Sequence, residues 1–120
     1  MIQEVLVAVY GSLRRGMGNH RLLVGFPLLS TERVKGWDMY SYGAFPYITP
    51  SEDGEITIEV YAVPIDELLG SLDSLEGYPS FYDRKKIQTS KGEAWIYFID
   101  QGSNSAPVES CDWVSFKGAR

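Results

Sequence analysis

Glu55-Ile-Thr-Ile-Glu-Val-Tyr-Ala-Val-Pro-Ile-Asp-Glu-Leu-Leu-Gly-Ser-Leu-Asp-Ser-Leu-Glu-Gly77 changes hydrophobic period midway, and that change decides the fold. Over residues 55–63 the apolar side chains alternate. Ile56, Ile58, Val60 and Ala62 fall on one face and Glu55, Thr57 and Glu59 on the other, the pattern of a strand with one buried side. Pro64 stops it. Beyond the proline, Ile65, Leu68, Leu69, Leu72 and Leu75 recur at helical spacing, which predicts an amphipathic helix over residues 65–76. Gly77 suits the left-handed position just past its end, and Pro79 prevents continuation.

Working outward, residues 5–10 form a continuous apolar run, expected of a strand covered on both faces. Asn19 can cap a short helical turn over 20–24, which Gly25 and Pro27 end. Residues 31–40 read as a strand broken by Gly36. Residues 42–50 are turn-rich and then extended, with Pro46 and Pro50 confining them to a sheet edge. Ser51-Glu-Asp-Gly54 carries an Asp-Gly turn signal. Residues 81–89 and 92–100 read as two strands joined at Ser90-Lys91, the second buried on both sides. The tail from Gln101 is polar except near Trp113, Val114 and Phe116, so it either lies over the body or hangs loose. The fold class expected is α+β, a small mixed β-barrel-like sheet flanked by short helices. Crossover helices are too few for a doubly wound parallel sheet.

One domain over residues 1–120 is the expectation from length, and 44% hydrophobic residues with 8 Tyr, 5 Phe and 3 Trp suit a packed core. The formal charge of −5 repels nucleic acid overall. The Arg14/Arg15/Arg21 and Arg84/Lys85/Lys86 groups read as solvated edges. One cysteine, Cys111, excludes an internal disulfide and points to a reducing cytoplasm. Neither a signal-peptide start nor a membrane-spanning run stands out.

Chemistry narrows by elimination. One His and one Cys, with no cluster at ligand spacing, give no metal site. Ser12 with His20 lacks the G-x-S-x-G elbow of a hydrolase, and Cys111 has no local base. The glycines match neither G-x-G-x-x-G nor a P-loop, so no cofactor is expected. Two features remain. Gly11, Gly16 and Gly18 follow the first strand, where successive N–H groups can cradle an anion, although a plain connecting loop also explains them. Glu76 stands in the last helical turn, where the macrodipole disfavours a carboxylate. It is either an exposed residue tolerating a small misfit or a base with a raised pKa.

Tyr10-Gly-Ser-Leu13, Arg14-Arg-Gly16, Asn19-His-Arg-Leu22, Glu59-Val-Tyr-Ala-Val63, Leu72-Asp-x-x-Glu-Gly77 and Tyr82-x-Arg84, in this order and spacing, resemble the γ-glutamylcyclotransferase-like family. The nearest branch is γ-glutamylamine cyclotransferase with its small bacterial relatives. The resemblance implies one pocket for a small-molecule γ-glutamyl substrate. In it Tyr10, Gly11, Ser12 and Leu13 bind the glutamyl carboxylate through backbone N–H groups, Glu76 accepts a proton, and Tyr82 lines the wall. Ile58 stands where many members carry glycine, a departure expected to reshape the substrate site. The implied reaction closes 5-oxoproline by attack of the substrate's own α-amine, needing no cofactor, metal, serine or cysteine. A binding module of the same fold, holding a small anionic metabolite or a partner's chain end, is the alternative; the fold alone does not choose.

Overall fold

The alternating run lies in the second half of β3 (Pro46–Pro64), a 19-residue strand. The computed structural model describes residues 3–43, 45–99, 106–108 and 111–118. With β3 stand β1 (Glu4–Val9), β2 (Leu28–Ser41), β4 (Asp83–Thr89), β5 (Gly92–Phe98) and the two-residue β6 (Ala106–Pro107). They form one sheet in the order β4-β5-β1-β3-β2-β6. β1 and β5 pair in parallel while the other pairs are antiparallel, so the sheet is mixed. It is open rather than a closed barrel, yet it curls. Trp37 of β2 and Phe98 of β5, three strands apart in the order, bring their rings to 5.5 Å.

Both faces of the sheet are covered, and β3 feeds both cores. Ile56, Ile58 and Val60 pack with Ala8, Ile96 and Trp113 on one side. Tyr61 and Val63 pack with Val7, Val9, Leu68 and Leu72 on the other. The polar face expected of residues 55–63 is therefore corrected, since Thr57 and Glu59 are buried. Of the apolar tail residues, Trp113 lies on the body. Trp113, at the start of the short helix Trp113–Gly118, is fully buried, and the Thr57 N–H donates to the Cys111 carbonyl at 2.9 Å.

Several local expectations change. Residues 51–54 do not end a strand; they stand opposite the single residue Gly36, between the Lys35↔Glu55 and Trp37↔Pro50 pairs. The segment holding Pro46 and Pro50 is the first half of β3, with a ladder neighbour on one side only, as expected of an edge. In the ladder this half pairs with β2 alone, so a missing N–H on the other side costs no strand pairing. The turn after Asn19 is a 3-10 helix (His20–Leu23) without a side-chain cap; the Asn19 Nδ2 donates to Ser12 Oγ and its Oδ1 accepts from Arg21 Nη1 at 3.4 Å.

Residues 65–76 are helical throughout but not uniformly α. α1 (Ile65–Glu67) passes through a π segment (Leu68–Leu72) into α2 (Asp73–Glu76). The wider turn rotates the residues of α2 away from their places in a regular 3.6-residue pattern. Leu68 and Leu72 are buried, whereas Leu69 and Leu75 are exposed. Asp73 is buried. Gly77 ends the segment at φ 65, ψ 34, the left-handed conformation expected of it. The final strand position expected at Asp100 lies outside the described residues.

Candidate active site

Where β1 stops, the chain turns against β3. Gly11 sits so close to Pro46 that an added Cβ would lie 2.7 Å from Cγ and 2.9 Å from Cδ of the proline ring. Only glycine fits without displacing that ring. The loop is tied down through its carbonyls: Arg14 N–H donates to Gly11 O at 3.0 Å, and Asn19 N–H to Ser12 O at 2.9 Å. Among the described residues, the N–H groups of Gly11, Ser12 and Leu13 meet no protein acceptor.

Glu59 clamps this loop to the sheet. Its carboxylate accepts from Arg14 Nε at 2.9 Å, Arg15 N–H at 2.8 Å and the Tyr61 hydroxyl at 2.9 Å. Arg14 also donates to Asp112 at 2.6 Å and is buried, so it is no solvated edge as its neighbourhood in the sequence suggested. A buried carboxylate with three donors is a structural anchor, its charge fully satisfied.

Glu76 is the opposite case. It closes α2 and faces the same hollow as the loop, a cavity of about 150 Å³ whose lining includes Tyr10, Gly11, Ser12, Leu13, Glu76 and Tyr82. Among the described residues no hydrogen bond or ion pair reaches its carboxylate. Burial without compensation raises its pKa to about 7. Its charge in turn pushes up the Tyr10, Tyr82 and Tyr97 hydroxyls, which burial already raises. Tyr10 and Tyr82 form a fixed wall, Tyr10 donating to the Tyr97 carbonyl at 2.8 Å and Tyr82 to the Pro46 carbonyl at 2.6 Å.

One turn before Glu76, Asp73 anchors the helical segment. It accepts from Arg84 Nε at 2.9 Å, Arg84 Nη2 at 3.1 Å and the Tyr97 hydroxyl at 2.6 Å. Arg84 is stacked over the rings of Tyr78 and Trp95, its guanidinium carbon 4.2 and 4.5 Å from their centroids. The two acids of Leu72-Asp-Ser-Leu-Glu76 thus have different states. Asp73 is paired and held; Glu76 is unpaired and disfavoured in its charged form.

All six residues singled out from the sequence therefore line one cavity. Sequence reasoning missed Tyr97 and Asn19 in its lining, and the aromatics Phe45 and Phe81 at its mouth. The Tyr82-x-Arg84 pattern was the one available signal for the Asp73 anchor. Ile58 does not reshape the cavity. It is buried in the core on the face shared with Ile56 and Val60, outside the lining. His20 is a packing residue, with Nδ1 3.0 Å from the Leu13 carbonyl and its ring beside Tyr61. Among the described residues no three His, Cys, Asp or Glu stand together to hold a metal ion. None of the described helices is long and apolar enough to cross a membrane.

Known proteins share this architecture. The family model described as gamma-glutamyl cyclotransferase, AIG2-like, matches residues 7–115. The Escherichia coli K12 gamma-glutamylcyclotransferase family protein YtfP is 33% identical over 109 residues, covering 90% of this chain and 95% of its own. The crystal structure of uncharacterized protein PH0828 from Pyrococcus horikoshii superposes with a TM-score of 0.84 at 24% identity, over 96% of this chain and 94% of that one. A mouse AIG2-like protein superposes at 0.67 with 22% identity, over 85% and 81% of the two chains. The two structures share the fold with this chain.

Proposed function

The chain belongs to the gamma-glutamyl cyclotransferase, AIG2-like family, and on that premise we propose that it converts a γ-glutamyl amine or small γ-glutamyl peptide to 5-oxoproline and the free amine. The observation carrying this reading is Glu76, unpartnered among the described residues, with a pKa near 7, sharing a 150 Å³ cavity with the loop N–H groups.

The substrate's α-carboxylate accepts from the N–H groups of residues 11–13. Its α-ammonium then faces Glu76, which takes one proton. The freed amine attacks the γ-carbonyl carbon, forming the ring C–N bond and a tetrahedral oxyanion. Collapse breaks the bond to the leaving nitrogen, which receives the proton from Glu76; the ring nitrogen's remaining extra proton then passes through the same carboxylate to the departing amine, which leaves as its ammonium ion. Atoms and charge balance without any further reactant. A tethered nucleophile makes ring closure unimolecular, so positioning supplies much of the barrier reduction. A base with a pKa near 7 suits these proton transfers at neutral pH.

Glu76→Gln tests the assignment. It keeps the shape of the side chain and removes the base, so 5-oxoproline release from γ-glutamyl amides should fall by roughly 10²-fold or more while ligand binding persists. Equal release from variant and wild type excludes Glu76 as the base. Tight binding with no turnover by either protein favours the binding-module alternative.

A further inference from the structure

We propose that the amine carried on the substrate's γ-nitrogen is an aromatic monoamine, gripped by a rim of Tyr42, Phe45 and Phe81 at the cavity mouth. The inference rests on reading the cavity as a γ-glutamyl site and goes further by naming the leaving group's class.

The size of the cavity sets the problem. A space of about 150 Å³ takes a benzene-sized guest. One glutamyl unit fills it, and whatever hangs from the γ-nitrogen must pass the mouth. Phe45 and Phe81 line the cavity yet remain 38% and 50% exposed, so they stand at that mouth. Tyr42, 42% exposed, closes the group, with its ring centroid 5.2 Å from Phe45 and 6.0 Å from Phe81. Phe45 and Phe81 meet edge-on at 6.1 Å. Three exposed rings in mutual contact leave apolar surface in water that a flat apolar group would cover, with the offset and edge-on geometries aromatic pairs prefer.

Charge selects among apolar and polar leaving groups. The cavity lining holds no Lys, Arg or His among the described residues, and beside the rim the Lys117 ammonium is held on the Gly43 carbonyl at 3.0 Å, so a carboxylate on an amino acid or peptide leaving group meets no cation within the lining. The lining's one carboxylate among those residues is Glu76, already assigned to the α-ammonium, which leaves a second ammonium without an acidic partner. A neutral aromatic amide meets neither penalty.

Calorimetry on Glu76→Gln, which leaves the amides uncleaved, reads the subsite directly. The probes are the L-γ-glutamyl phenethylamide, methylamide and 4-aminobutylamide, with γ-glutamylglycine. The phenethylamide should bind about tenfold more tightly than the other three. Adding Phe81→Ala should bring its affinity down toward that of the methylamide. Phe81 is half exposed and holds Gly77 through its own N–H, so alanine keeps the local backbone bond. Phe45→Ala provides a second, independent removal. Equal affinities across the probes, or tightest binding by a charged probe, overturn the proposal and leave the γ-glutamyl reading standing. Binding of none of the four overturns both. A variant that changes the oligomeric state while leaving the affinity ratio intact assigns the rim to a protein contact and overturns the proposal.

Discussion

At the scale of single residues, two carboxylates three positions apart show how neighbours set chemistry. Asp73 has a guanidinium and a hydroxyl, whereas Glu76 has burial and no partner among the described residues. The difference gives stability a pH dependence of definite sign. An unfolded glutamate ionises near pH 4.3 and this one near 7 in the fold, so the fold binds the extra proton. Its full stability is present below about pH 4.3 and is lost as pH rises through 7, by up to about 4 kcal/mol. Glu76→Gln should therefore stabilise the protein in urea unfolding at pH 8 and leave it unchanged at pH 4. Equal effects at both values would show that the carboxyl is not desolvated. Activity should have an acid limb near pH 7, measured as kcat/KM on a γ-glutamyl amide. Gly11→Val places a side chain against the Pro46 ring and should weaken 5-oxoproline binding at least tenfold. Unchanged affinity in a folded variant would remove the loop from the site.

At the scale of elements, the strands were largely legible, because a period of two survives in β3 and a continuous apolar run marks β1. The helical segment was legible in extent and in its glycine stop, but not in its face. A π segment inserts a wider turn at Leu68–Leu72, and no rule of composition foretells it. That turn puts Leu69 and Leu75 outside and Asp73 inside. Glu59 was misread for a related reason. Alternation assigns it to a polar face, and only the packing of a distant loop makes that face an interior. The loop and Glu76 were legible as types, glycine for close approach and an acid against the dipole. The physical cause of the raised pKa is burial, which only tertiary structure supplies. Arg84→Met should destabilise the fold by about 3–5 kcal/mol, since it strands the buried Asp73 carboxylate without its cation. A loss below about 1 kcal/mol in denaturant unfolding would mean that Asp73 is solvated there.

At the scale of the whole molecule, an open curled sheet buries both faces because Leu68 and Leu72 of the 65–76 segment pack on one and Trp113 on the other. Trp113 completes the core of Ile58, Ile96 and Met39, and Trp113→Ala should cost about 3–5 kcal/mol in thermal or urea unfolding. A negligible cost would detach the C-terminal helix from the body. The sequence left that tail undecided, since one tryptophan in a polar segment signals burial only when its partners are known. The same global arrangement brings residues from β1, the 65–76 segment and β5 around one hollow. Its most direct test is a crystal structure of Glu76→Gln holding an intact γ-glutamyl amide. The account predicts the ligand's α-carboxylate on the N–H groups of residues 11–13 and its α-nitrogen within hydrogen-bond reach of residue 76. An α-nitrogen turned away from residue 76, or a ligand seated outside this hollow, would contradict it.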